Sequence, residues 1–198
     1  MNVSIIGTGY VGLVTGAGLA ELGNKVWCVD IDDEKIKRLN NSVIPFYEKG
    51  LDKLVERNLK LGRLKFTTSL REGIKESQII FIAVGTPAKE GGEADLTQVI
   101  SVAEELGKAM EDYKMVVIKS TVPVGTFPLV TEVLKRSRKT EIDFDIVSNP
   151  EFLREGDAVY DFFNRIGKNI NSHTHTTKRI HKVCYSINNS FFTSFENN

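Results

Sequence analysis

Short β-branched runs alternate along the chain with longer segments whose apolar residues recur at helical spacing. Strands are predicted at Val3–Ile6, Val26–Val29, Leu64–Thr67, Ile79–Ala83, Met115–Lys119 and Ile146–Ser148. Most are apolar on both faces, as a parallel sheet covered by helices on each side requires. Between them the spacing predicts helices over Val11–Glu21, Glu34–Asn40, Leu51–Lys60, Leu96–Met110 and Thr126–Arg136. Asp95 reads as the N-cap of the fourth, and Gly23 and Gly62 as stops of earlier ones. Six strands joined by crossover helices make an α/β fold. It is a doubly wound parallel sheet with helices on both faces, and right-handed connections dictate the strand order 3-2-1-4-5-6.

The alternation fades after Asn164. Residues 165–198 hold all three histidines, a single acidic residue (Glu196) and many Asn, Ser and Thr. The expected organisation is therefore one domain over residues 1–164 and a divergent, poorly specified tail over 165–198.

Composition narrows the class further. With 198 residues, 41% apolar and 26% charged, the chain can bury one sizeable core and not two. Its 26 basic and 26 acidic side chains balance, so no global field draws it to nucleic acid or anionic lipid. Two cysteines, Cys28 and Cys184, are too few for a disulfide framework, and Cys28 sits in an apolar run suited to a buried reduced thiol. The chain lacks a basic start followed by a long apolar stretch, and no run approaches the roughly 18 apolar residues of a membrane span. The expectation is a cytoplasmic protein with no membrane partner.

Candidate chemistry gathers where strands end. Gly7-Thr8-Gly9-Tyr10-Val11-Gly12 follows the first strand and opens the first helix, the context that a dinucleotide-binding glycine fingerprint requires. There Gly7 permits the tight turn, Gly9 lets backbone approach a pyrophosphate, and Gly12 allows the helix close to the strand. Eighteen residues beyond Gly12, the second strand ends at Asp30, where a carboxylate accepts hydrogen bonds from both ribose hydroxyls and repels a 2′-phosphate, favouring NAD over NADP. Asp32 reads instead as a helix cap, and Gly16 and Gly18 as packing residues. Two more strand ends, Val84-Gly85-Thr86-Pro87 and Ser120-Thr121-Val122-Pro123, bring Thr86 and Thr121 to the same sheet edge, either facing a cofactor or serving as ordinary turn residues. After the sixth strand, Glu151 and Glu155 flank Arg154; on a helix they would share a face. His173, His175 and His181 lack the accompanying ligands of a zinc site, so no metal is expected.

Together these motifs, with Asn149-Pro150-Glu151-Phe152-Leu153-Arg154-Glu155-Gly156, resemble the N-terminal Rossmann-type domain of UDP-glucose 6-dehydrogenase and its nucleotide-sugar dehydrogenase relatives, from Met1 to about Asn164. The resemblance implies oxidation of the sugar C6 alcohol to a carboxylate with two NAD, through an aldehyde held on a cysteine as a thiohemiacetal and then a thioester. It implies that Asp30 and Lys35 hold the adenine ribose, and that Gly7, Gly9, Tyr10, Val11 and Gly12 hold the pyrophosphate. Thr86, Thr121 and Glu155 would line the cofactor crevice, with Thr121 and Glu151 in the catalytic set and Glu151 assisting the hydrolytic water. Glu151, Phe152, Leu153 and Arg154 would contact the nucleotide sugar, UDP-glucose. The family's central helix, its UDP-binding C-terminal domain and its glycine-flanked nucleophilic cysteine have no counterpart here, and Cys184 lacks that setting. The expected product is thus a truncated form that binds NAD without turnover on its own. GDP-mannose dehydrogenase shares the Asn-Pro-Glu-Phe-Leu-Arg-Glu segment, leaving the sugar nucleotide open. A non-catalytic NAD-binding module that pairs with full-length subunits is the other alternative, and a homo-oligomer is possible within this family.

Overall fold

The computed structural model describes residues 1–149 and 153–165. In chain order the elements are β1 (Asn2–Ile6), α1 (Tyr10–Glu21), β2 (Lys25–Val29), α2 (Asp33–Asn40), α3 (Leu51–Lys60), β3 (Leu64–Thr67) and α4 (Leu70–Ile74). They continue with β4 (Ile79–Ile82), α5 (Thr97–Ala109), β5 (Lys114–Ile118), α6 (Thr126–Ser137), β6 (Phe144–Ser148) and α7 (Ala158–Arg165). The six strands form one sheet in the order β3-β2-β1-β4-β5-β6, and every pairing is parallel.

Alternate side chains of each strand feed two separate cores, because successive residues point to opposite faces. Val3, Ile5, Cys28, Phe81 and Val117 pack beneath α1, α2, α3 and α7. Ile6, Ile80, Ile82, Val116 and Ile118 pack beneath α4, α5 and α6. The two packing glycines behave as the sequence suggests. A Cβ on Gly16 would lie 2.5 Å from the Cys28 sulfur, and one on Gly18 would lie 2.3 Å from the Phe162 ring.

Helix ends follow the cap residues with one adjustment. Asp32 accepts the Lys35 amide at 2.9 Å at the start of α2, and Gly23 and Gly62 adopt positive φ just beyond α1 and α3. Asp95 lies one position before the N-cap of α5, Leu96. It still accepts both the Thr97 amide at 2.9 Å and the Thr97 hydroxyl at 2.5 Å.

Two helices have no counterpart in the periodicity. α4 is five residues long, too short for a repeat, and starts at Ser69, which accepts the Glu72 amide. α7 opens only after Gly156, whose φ is +91°, so Glu155 precedes the helix and does not ride on it. The start of α7 is held from far away in sequence. The buried Glu48 accepts the Gly156 amide at 2.8 Å and the Val159 amide at 3.3 Å, so it caps the helix and complements its dipole. Glu48→Ala orphans both amides and is expected to lower stability by about 1–2 kcal/mol, measured as a shift of the urea midpoint; an unchanged midpoint would show that α7 docks without this cap.

Candidate functional site

Residues from the carboxyl ends of β1, β2, β4 and β5 meet at the point where the strand order reverses, the place where ligands lie in open α/β sheets. The turn after β1 is dictated by its glycines. Gly7, at φ +99°, donates its amide to the Val29 carbonyl at 2.8 Å, and a Cβ there would come within 2.6 Å of the Ala83 carbonyl oxygen. At Gly12 a Cβ would sit 1.9 Å from the Gly7 carbonyl oxygen. Gly9 differs from both. It is exposed, has extended backbone and starts α1 without a side-chain cap, and a Cβ on it would meet nothing within 4 Å.

That open face borders a cleft of about 240 Å³ lined by Gly9, Tyr10, Val11, Thr86, Ser120 and Thr121, among others. Thr86 and Thr121 are thus brought together, and directly: the Thr86 hydroxyl donates to the Thr121 carbonyl at 2.8 Å. A second crossing bond runs from the Ser120 hydroxyl to the Val84 carbonyl at 2.7 Å, so the loops after β4 and β5 are fixed to one another. Lys119, nearly buried, also lines the cleft and reaches Asn149 Oδ1 at 3.4 Å.

At the other side of β1, Asp30 is half-buried and already engaged. Its Oδ2 accepts the Thr8 hydroxyl at 2.6 Å, the Thr8 amide at 2.9 Å and the Lys35 ammonium at 3.0 Å, while Oδ1 accepts the Asp32 amide at 3.2 Å. Burial pushes the Asp30 carboxyl up, but the bonds from Thr8, Lys35 and Asp32 outweigh it and hold the group below the usual carboxylate range. Asp30 and Lys35 therefore stand together at the end of β2. With Oδ2 taken by three donors, however, the symmetric two-oxygen reception of a ribose diol is not what the free protein offers.

On the remaining side, Leu153 packs against the core, and Glu155 is exposed. Arg154 is committed within the chain. Its amide donates to Asp161 Oδ2 at 3.0 Å, and its guanidinium grips both Asp161 oxygens at 2.9 Å, with the Asp161 side chain fully buried. Glu151, Phe152, the tail histidines and Cys184 lie outside the described residues. Cys28 is fully buried, and burial pushes its thiol far up, so it stays protonated and unreactive. Among the described residues no three His, Cys, Asp or Glu side chains gather as a metal site would need, and no helix is long and apolar enough to cross a membrane.

Sequence reasoning passes over Thr8, Lys119, Ser120, Glu48 and Asp161. For Thr8 the signal was its position between two fingerprint glycines; for Glu48 and Asp161, whose partners are set by packing, the sequence carries none.

The arrangement fits a dinucleotide. Gly9 leaves the space a pyrophosphate needs beside an uncapped helix start, and the β2 carboxylate stands where an adenine ribose would follow. Comparison with known proteins agrees. The profile of the UDP-glucose/GDP-mannose dehydrogenase family, NAD binding domain, matches residues 1–185, running past Asn164. The UDP-glucose 6-dehydrogenase TuaD of Bacillus subtilis is 51% identical over 179 residues, which are 90% of this chain and 39% of the relative. Among solved structures, a UDP-glucose dehydrogenase from Pyrobaculum islandicum superposes with a TM-score of 0.86 at 37% identity, covering 93% of this chain and 43% of that one. A GDP-mannose dehydrogenase from Pseudomonas aeruginosa gives a TM-score of 0.87 at 33% identity over 94% and 44% of the two chains. The chain thus spans about 39% of the length of its curated relative.

Proposed function

The chain belongs to the UDP-glucose/GDP-mannose dehydrogenase family, whose NAD-binding domain it carries, and we propose that it presents NAD to a nucleotide sugar, UDP-glucose in the first instance. When bound, NAD supplies the hydride acceptor for oxidation of the sugar alcohol. The chain's own residues bind and orient it. The Gly7–Gly12 turn, with the amides of Tyr10 and Val11, receives the pyrophosphate at the start of α1. Asp30 and Lys35 receive the adenine ribose, and the negative charge of Asp30 repels a 2′-phosphate. Thr86 and Thr121 flank the nicotinamide half, where the two crossing bonds keep the cleft wall in place, so orientation is prepaid before the sugar arrives. By family resemblance Glu155 would contribute to the cofactor site, Glu151 would assist the hydrolytic water, and Phe152, Leu153 and Arg154 would contact the sugar nucleotide.

The observation that carries this reading is the open Gly9 face set beside the Asp30 carboxylate. Calorimetric titration is its test: NADH binds, weakly, and in preference to NADPH. Absence of NADH binding at millimolar concentration, or preference for NADPH, would overturn it. The same chain, mixed with UDP-glucose and NAD, is expected to form no UDP-glucuronate. Covalent retention of an aldehyde needs a reactive thiolate, and the Cys28 thiol is buried and protonated. Formation of UDP-glucuronate that disappears in Cys184→Ser would show that Cys184 has taken the nucleophile's place.

A further inference from the structure

Thr8 stands between Gly7 and Gly9, is fully buried and directs both of its donors to one atom, Asp30 Oδ2. We propose that Thr8 is a positioning residue for ribose recognition: it sets the orientation of the Asp30 carboxylate and so fixes which oxygen the cofactor meets. This rests on the assignment of Asp30 to the ribose.

A carboxylate at a strand end turns about two side-chain torsions, and a single neighbour with one hydrogen bond leaves it room to swing. Two donors from one residue remove that freedom, because the Thr8 amide is fixed by the turn and the hydroxyl by its buried β-branched rotamer. The hydroxyl bond, at 2.6 Å, is the shorter of the two, as expected for an O–H group facing an ionised acceptor. Lys35 adds a third donor to the same Oδ2 at 3.0 Å. Oδ1, whose single internal bond is the longer 3.2 Å contact from Asp32, remains the oxygen available to a ribose hydroxyl. The turn that receives the pyrophosphate and the group that receives the ribose are thereby one rigid unit, tied through a residue with no exposed surface.

The test is NADH titration by fluorescence on the full chain carrying Thr8→Val, Thr8→Ser, Asp30→Ala and the Thr8→Val/Asp30→Ala pair. Valine keeps the shape and burial of threonine while removing the hydroxyl, so folding is retained, and thermal unfolding checks this. Thr8→Val is expected to weaken NADH about five- to tenfold, Thr8→Ser to stay within about twofold of wild type, and Thr8→Val to have less than about a twofold effect once Asp30 is alanine, since the two act as one unit. Three results would overturn the inference. These are Thr8→Val binding like wild type while Asp30→Ala binds weakly, equal losses from Thr8→Val with and without Asp30, and failure of Thr8→Ser to restore affinity. If Asp30→Ala itself leaves NADH affinity unchanged, the ribose assignment falls, and the role of Thr8 falls with it.

Discussion

Gly12→Ala is expected to destabilise the protein by about 3 kcal/mol or more, whereas Gly9→Ala leaves stability within about 0.5 kcal/mol of wild type and weakens NADH at least about tenfold. The two glycines belong to one fingerprint but do opposite work. A methyl group on Gly12 would stand 1.9 Å from the Gly7 carbonyl oxygen. That is a backbone atom held by the Gly7–Val29 hydrogen bond and by the approach of Gly7 to Ala83. Nothing there is a flexible side-chain tip, so α1 must shift off β1 and the core beneath it opens. Gly9 has φ −66° and ψ −177°, a backbone any residue adopts, and empty space around its missing Cβ. Alanine there costs the fold nothing and fills the space that the proposed function gives to the pyrophosphate. Urea unfolding and NADH titration of the two variants separate the cases. A Gly12→Ala protein with a wild-type midpoint, or a Gly9→Ala protein with wild-type NADH affinity, would show that the turn is used differently.

Asp30→Ala is expected to weaken NADH binding by about 1–3 kcal/mol, the range for hydrogen bonds to a charged acceptor. It also leaves the Thr8 hydroxyl and the Lys35 ammonium without their shared partner, so stability falls too. The pH dependence of that second effect has a fixed sign. The folded-state carboxyl lies below its ordinary value of 3.8, so its contribution is fully present above that value and is lost as pH falls through the lower folded-state value. The stability gap between wild type and Asp30→Ala is therefore flat across neutral pH and closes below about pH 4. A gap that widens on acidification, or NADH affinity that does not change, would make Asp30 a helix-start residue like Asp32.

Legibility of the chain divides along a physical line. Strands such as Leu64–Thr67 and helices such as Leu51–Lys60 were readable because hydrophobic period and length are local properties, and both stand where the pattern puts them. The strand order was readable because right-handed crossovers leave few alternatives. α7 was not, since its first amides depend on Glu48 and its packing on the gap left by Gly18, neither of which is visible in the eight residues of the helix itself. The site divides in the same way. Glycines and an acidic residue at a strand end announce themselves by type and spacing, whereas Glu48, Lys119 and Asp161 acquire meaning only from the atoms that folding brings to them.

The reach of Glu48 has a consequence in time. Glu48 precedes Gly156 by 108 residues, and at a synthesis rate of roughly 5–20 residues per second the ribosome needs about 5–20 s to make that stretch. Eight residues are too few to hold a helix in water unaided. During that interval β1, β2 and β4, all encoded before Gly156, can assemble while the Glu48 carboxylate has no α7 amide to accept, and α7 is recruited onto a surface already made.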